Sequence, residues 1–266
     1  KISAEEMLSI KHYMIDEVFP DQSFSVAQFR DKADQYIHEI SSRGKLAIIA
    51  GGTGLYINSL LNNLDFTKSV GDEDFRQKMQ EIADNKGNEF LYDRLKDIDP
   101  VSYHRLHPND VRRVIRALEV YEFTGKTISH FQEESKKLPP RYNYAYIGLT
   151  MDRQELYDRI NQRVDAMIEK GLIEEVKNLL NMGYYRDLVS MQALGYKEIV
   201  QYLEGEISLE EALFILKRDS RHYAKRQLTW FRRDERIKWF NVDEYQDRKI
   251  LVENIINDIA GKIYLL

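Results

Sequence analysis

The sequence predicts an α/β fold interrupted by a helical subdomain, and three observations predict it. Ala47-Ile-Ile-Ala-Gly-Gly-Thr-Gly-Leu-Tyr-Ile-Asn-Ser-Leu-Leu61 begins like a buried strand, breaks at three glycines and resumes as an apolar helix. From about Val70 to Leu138 no strong strand pattern appears, and polar helices are punctuated by Asp99-Pro100 and His107-Pro108-Asn109-Asp110. After Pro139-Pro140, Tyr144-Ala-Tyr-Ile-Gly-Leu-Thr150 reads as a strand rich in aromatic and branched residues, and a helix follows it. The expected organisation is a core in two parts, 1–69 and 141–266, with a helical insertion at 70–140.

Element by element, residues 4–13 and 26–42 read as helices, the second stopped by Arg43-Gly44 before a strand at Leu46–Ala50. The glycine turn leads into a helix at Leu55–Leu61. Beyond the insertion, Asp152 is placed to cap a helix whose apolar positions Leu156, Ile160, Val164 and Met167/Ile168 keep helical spacing. Gly171 separates it from Leu172–Leu180. Helices near Tyr196–Leu203 and Leu209–Arg232 precede a strand at Ile237–Val242, and a final helix runs from about Lys249 to Ile263.

At 266 residues and 43% hydrophobic, the chain can bury a substantial core. A net charge of −5 argues against a uniformly basic coat, but the charge is unevenly spread. Between Lys217 and Lys238 nine Lys or Arg face three Asp or Glu, enough to meet several phosphates. The chain contains no cysteine, which excludes disulfide frameworks and thiolate metal sites and suits a reducing cytosol. No apolar run approaches the ~18 residues that span a bilayer, and no signal peptide is visible. A soluble cytoplasmic protein, monomeric and without an obligate protein partner, is expected.

Four constellations could carry chemistry. The turn at Gly51, Gly52 and Thr53 offers bare backbone and helix N–H groups to an anion, yet no Gly-Lys-Ser/Thr follows it. Arg159 and Arg163, four apart, share one helix face and can clamp a diphosphate; equally they can be a surface pair bonded to Asp158 or Asp165. His107–Arg116 opens with cap-type residues and sets Arg112, Arg113 and Arg116 on a helix, which suits a sugar-phosphate backbone or an ordinary amphipathic helix. Arg218, Arg221, Lys225 and Arg232 form a basic stripe with Tyr223 and Trp230 nearby, against a packed side of Ala224, Leu228 and Phe231. That stripe can hold phosphates and stack a base, or be a solvated helix face. His104 and His107 lack a third ligand at metal spacing, so no protein metal site is expected.

Five motifs in order tie these parts together: Gly51-Gly-Thr-Gly-Leu-Tyr56, His107–Glu119, Arg159–Met167, Ser190-Met-Gln-Ala-Leu-Gly-Tyr-Lys-Glu198 and Ala224-Lys-Arg-Gln-Leu-Thr-Trp230. With them the chain closely resembles the bacterial tRNA dimethylallyltransferase (tRNA isopentenyltransferase) family over nearly its whole length. His12–Val18 and Ser23–Phe29 resemble it too. The resemblance implies a phosphate-loop NTPase-like parallel-sheet core, related to nucleoside kinases, with an inserted helical subdomain that grips the anticodon arm of tRNA. It implies transfer of a dimethylallyl group from dimethylallyl diphosphate to the exocyclic amine of the adenosine 3′ to the anticodon, assisted by Mg2+. The family's phosphate loop and its proposed general base are expected before Lys1, on some 50 to 60 residues that would complete a βαβ unit, and the chain without them is expected to be inactive.

Carried over residue by residue, the resemblance makes Arg163 the catalytic diphosphate clamp, joined by Arg159, Gly51, Gly52 and Thr53. It assigns tRNA contacts to Thr53, Arg76, Arg112, Arg113 and Arg116, to Gln192, Gly195, Tyr196 and Lys197, and to Lys225, Arg226, Gln227, Thr229, Trp230 and Arg232. The rival readings are a prenyltransferase acting on a free adenine nucleotide, a nucleoside or nucleotide kinase, and a non-catalytic RNA-binding protein. The helical insertion and the basic stripe favour a large RNA over a free nucleotide.

Overall fold

The computed structural model describes residues 5–63 and 71–260. In chain order the helices are α1 (Val26–Ser42), α2 (Gly54–Leu61), α3 (Glu73–Lys86), α4 (Asn88–Asp93), α5 (Leu95–Ile98), α6 (Pro100–Arg105), α7 (Val111–Thr124), α8 (Ile128–Lys137), α9 (Arg153–Glu169), α10 (Leu172–Asn181), α11 (Tyr196–Leu203), α12 (Leu209–Phe231) and α13 (Arg248–Ala260). The strands are β1 (Ile147–Thr150) and β2 (Lys238–Asn241). The chain divides into two compact units, Lys1–Leu55 with Asn143–Leu266, and Tyr56–Tyr142.

In the first unit β1 and β2 pair in parallel, from Ile147 opposite Lys238 to Thr150 opposite Asn241. Parallel neighbours need a long crossover, and α9 to α12 provide it. Their apolar faces close over Val164, Leu172, Val176, Met191, Ile199, Val200 and Leu216, all buried. The local signals explain the boundaries. Asp152 accepts the N–H groups of Gln154 (2.7 Å) and Glu155 (3.2 Å) to start α9. Gly171, at φ +94°, stands between α9 and α10 in a left-handed turn that a side chain would resist. Ser25 and Gln28 form a reciprocal capping box that opens α1. Arg221 donates to Asn161 (2.7 Å) and Lys217 pairs with Asp165 (2.6 Å), so two cations of α12 fasten it to α9.

Among its described residues the second unit has helices and connecting turns and no strand. Met79, Ala83, Leu91, Leu95, Val114, Ile115, Ala117 and Leu118 make its core. Asp99 and Pro100 do here what their order suggests, the aspartate capping α6 and the proline occupying its first position. The Asp99 carboxylate is buried, accepting Ser102 N–H (3.0 Å), Ser102 Oγ–H (2.7 Å) and Ser129 N–H (3.2 Å). Burial pushes its pKa up, but those donors outweigh the burial and hold it below the usual value.

Three expectations are corrected. Residues 5–13 form no helix, because Leu8 (φ +47°) and Ser9 (φ +66°) leave the right-handed region; residue 4 lies outside the described residues. Leu46–Ala50 forms no strand: a strand exists through a neighbour's hydrogen bonds, no described residue supplies them, and Ile48 is 83% exposed. Asp110 precedes α7 but its side chain caps no helical N–H; it accepts instead from His107 N, at 3.4 Å. The strand expected at Tyr144–Thr150 is shortened to Ile147–Thr150. Val70 and the stretch 261–263 lie outside the described residues.

Candidate functional site

The glycine turn and the basic helix, two separate motifs in the sequence, meet in the first unit. Gln227 donates from Nε2 to the carbonyl of Gly52, at 2.9 Å. A Cβ added at Gly52 would lie 2.0 Å from that same nitrogen, and one added at Gly54 would lie 2.1 Å from the indole nitrogen of Trp230. At Gly54 the rigid indole leaves no room for a side chain, while at Gly52 a methyl would displace the flexible Gln227 amide. Gly51 has open space where a Cβ would sit.

Beside this contact, α12 and the turn after it carry a shallow cavity of about 450 Å³ lined by His222, Lys225, Arg226, Thr229, Trp230 and Arg233. Three permanent cations and an indole that is 42% exposed line one space. Such a combination attracts phosphate and offers a face on which a base can stack. Thr229 bonds its hydroxyl to the carbonyl of Lys225 (2.9 Å), and Arg226 lies 5.9 Å from the centre of the Tyr223 ring. Arg232 is the exposed C-terminal cap residue of α12. His222 and Arg233 were not singled out in the sequence; the signal for them was the four-residue spacing His222, Arg226 and the three-residue step from Trp230 to Arg233.

Arg159 bonds Glu155 at 2.6 Å, so neither carboxylate weighed from the sequence is its partner. Asp165 holds Lys217. Arg163 is exposed and has no hydrogen bond or ion pair among the described residues. The segment Gln192 to Lys197 is held from within: Gln192 donates to the carbonyl of Arg186 (2.6 Å), and Gly195 turns at φ +98° and donates its N–H to buried Glu198 (2.8 Å). The hydroxyl of Tyr196 bonds Glu175, and burial together with that carboxylate pushes its pKa far up. Lys197 lies 3.4 Å from Glu198 and 3.9 Å from Asp219. Thr53 is an exposed residue of the turn before α2.

In the second unit Arg112 and Arg113 are exposed on α7, Arg113 at 3.8 Å from Asp110. Arg76 and Arg116 converge on a residue that sequence reasoning did not assign, Glu119, which is fully buried. A carboxylate amid the buried Ile115, Leu118 and Val120 was the available signal for it. Among the described residues no three His, Asp or Glu side chains converge as a metal group.

A glycine turn locked to a cationic groove can receive an anionic group, and comparison with known proteins gives the class, a transferase. A family model described as IPP transferase matches residues 1–234, and the chain belongs to that family. The tRNA dimethylallyltransferase of Acetivibrio thermocellus is 56% identical over 255 residues, covering 96% of this chain and 82% of the relative. That of Thermoanaerobacter pseudethanolicus is 56% identical over 265 residues, 99% of this chain and 84% of the relative. The crystal structure of full-length tRNA isopentenylpyrophosphate transferase from Bacillus halodurans superposes with a TM-score of 0.69 at 47% identity, over 98% of this chain and 81% of that one. A eukaryotic dimethylallyltransferase whose structures capture it acting on tRNA gives a TM-score of 0.80 at 26% identity, over 98% and 68%.

Proposed function

We propose that the chain transfers the dimethylallyl group of dimethylallyl diphosphate to the N6 amine of the adenosine 3′ to the anticodon of tRNA, releasing diphosphate. The reading is supported by the names of its curated relatives, and the observation that carries it is the contact of the glycine turn with Gln227 and Trp230 beside the cationic groove. In the reaction the N6 lone pair forms a bond to the allylic carbon while the carbon–oxygen bond to diphosphate breaks. The electron pair leaves with the diphosphate, and the proton of the alkylated amine passes to water.

The leaving group gathers negative charge as it departs, and this is where Arg163 acts in our reading. A guanidinium aimed at a developing anion lowers the barrier more than it tightens ground-state binding. Arg159 and the backbone of Gly51, Gly52 and Thr53 complete the diphosphate side. The exposed cations of α12, with Trp230 as a stacking surface, take the RNA, joined by Gln192–Lys197. A stacked adenine hides its amine, so the base must leave its stack to react. The helical unit Tyr56–Tyr142 is the part we assign to the anticodon arm, through Arg76, Arg112, Arg113 and Arg116.

Magnesium enters this reading through the diphosphate. Mg2+ is commonly held by one or two carboxylates together with substrate phosphates and water. The described residues offer no three-ligand protein group. Among them no helix is long and apolar enough to cross a membrane. The same reading places a monomer in the cytoplasm with its tRNA. The test is to incubate protein from the complete gene with unmodified tRNA and dimethylallyl diphosphate, then weigh the digested nucleosides. A prenylated adenosine that depends on the donor supports the assignment; tRNA binding without it would favour a binding protein.

A further inference from the structure

Within the second unit, Glu119 gathers four N–H donors about one buried carboxylate. Oε1 accepts from Arg76 Nε (2.8 Å) and from the backbone N–H of Asp72 (2.9 Å). Oε2 accepts from Arg76 Nη2 (3.3 Å) and Arg116 Nη1 (2.5 Å). Arg76 thus meets it edge-on through two donors, the geometry that fixes a guanidinium plane. A Cβ at Gly71 would fall 2.3 Å from Arg76 Nη2, so the backbone closes on that guanidinium from another side. Burial raises the pKa of Glu119, but its partners outweigh this and keep it ionised.

Stability alone does not call for this arrangement. A buried ion pair is often matched or bettered by apolar residues of the same volume. What it does create is a pair of arginines joined at one buried carboxylate, 42% and 33% exposed at their side chains, with the exposed Glu73 also 3.6 Å from Arg76 Nη1. Without the carboxylate the two cations would repel and spread.

We propose that Glu119 is a positioning residue that sets Arg76 and Arg116 as one rigid clamp for a phosphate of the tRNA backbone. The inference rests on the tRNA reading above and adds to it a residue that touches no RNA itself. It makes a prediction of unusual sign. Charge counting says that removing an anion from a basic face strengthens phosphate binding; a positioning role says that it weakens it.

The test measures tRNA affinity, its salt dependence and steady-state prenylation with protein from the complete gene. In Glu119→Gln the clamp predicts a roughly tenfold loss of tRNA affinity, as for a lost charged hydrogen bond. KM for tRNA should rise with kcat within about twofold, the pattern of lost uniform binding. The slope of log affinity against log salt should fall by about 0.7 to 0.9, one phosphate. Gly71→Ala, which displaces Arg76 and leaves every charge in place, should shift affinity the same way and decides the matter if Glu119→Gln does not fold. In an Arg76→Ala/Arg116→Ala background, Glu119→Gln should add nothing. Unchanged or tighter binding by folded variants overturns the clamp alone; failure of the wild-type protein to bind tRNA overturns the functional reading and the clamp with it.

Discussion

Gly54→Ala tests whether the glycine turn is shaped by its contact with α12. The new Cβ would sit 2.1 Å from Trp230 Nε1, 2.3 Å from Cδ1 and 2.7 Å from Cε2, well inside contact distance. Two effects oppose one another. Alanine is a better helix residue than glycine by about 0.5–1 kcal/mol, and Gly54 opens α2 without a positive φ. Forcing a methyl into an occupied space costs about 1–3 kcal/mol. The overlap spans several ring atoms, so the steric cost wins and the expected net loss is about 1 kcal/mol. For a chain of this size that lowers Tm by roughly 2–4 °C. Thermal unfolding followed by helical circular dichroism reads it in every member of the cycle, since a tryptophan signal would be lost with Trp230, one of only two in the chain. The cycle with Trp230→Ala is decisive, because removing the ring leaves only the helix term and Gly54→Ala should then stabilise. Equal destabilisation in both backgrounds would refute the packing argument.

Arg163→Ala should lower kcat by about 10²–10³ with tRNA affinity held within about twofold, as for loss of a group that stabilises developing charge; equal loss of affinity would place it on the RNA instead. Arg113→Ala should weaken tRNA binding and reduce the salt slope by about one, measured by titration at several salt concentrations. Asp99 and Glu119 both have pKa values held below their ordinary 3.8 and 4.5 by the donors around them. Their contribution to stability is therefore complete above those ordinary values and lost as pH falls through the depressed ones. Urea midpoints should drop on acidification, and drop less in Asp99→Asn. Leu95→Ala empties a fully buried core position and should cost about 2–5 kcal/mol in denaturant unfolding of the helical unit.

Wherever a helix was announced by its own cap, spacing and stop, the sequence sufficed. Arg43, Asp152 and Gly171 stand where the pattern puts them, because capping is local chemistry between neighbours in the chain. Leu46–Ala50 failed for the opposite reason: its pattern is that of a strand, but strand formation depends on another segment. The candidate site divides in the same way. The basic stripe of α12 was legible from its charge. The meeting of Gly54 with Trp230, and of Arg76 with Glu119 across 43 residues, depends on tertiary folding that periodicity does not encode. Arg159 is a miss at short range: Asp158 and Asp165 were weighed as its partners, but the carboxylate four residues before it, Glu155, is the one that holds it.

The pairing of β1 with β2 also governs the order in which the chain can fold. Asp152 N–H and the Asp243 carboxylate, 2.5 Å apart in space, are 91 residues apart in sequence. Closing so long a span before its contents condense loses entropy that one short ladder cannot restore. The bundle of α9 to α12 must therefore collapse first, drawing the two ends together. On the ribosome β1 emerges well ahead of β2 and waits, an unpaired edge with Leu149 still 55% exposed even in the finished fold, until Lys238–Asn241 clears the exit tunnel. The interval in which nascent chains can mispair is thus set by the synthesis of four helices, with only α13 still to follow β2 among the described elements of this unit.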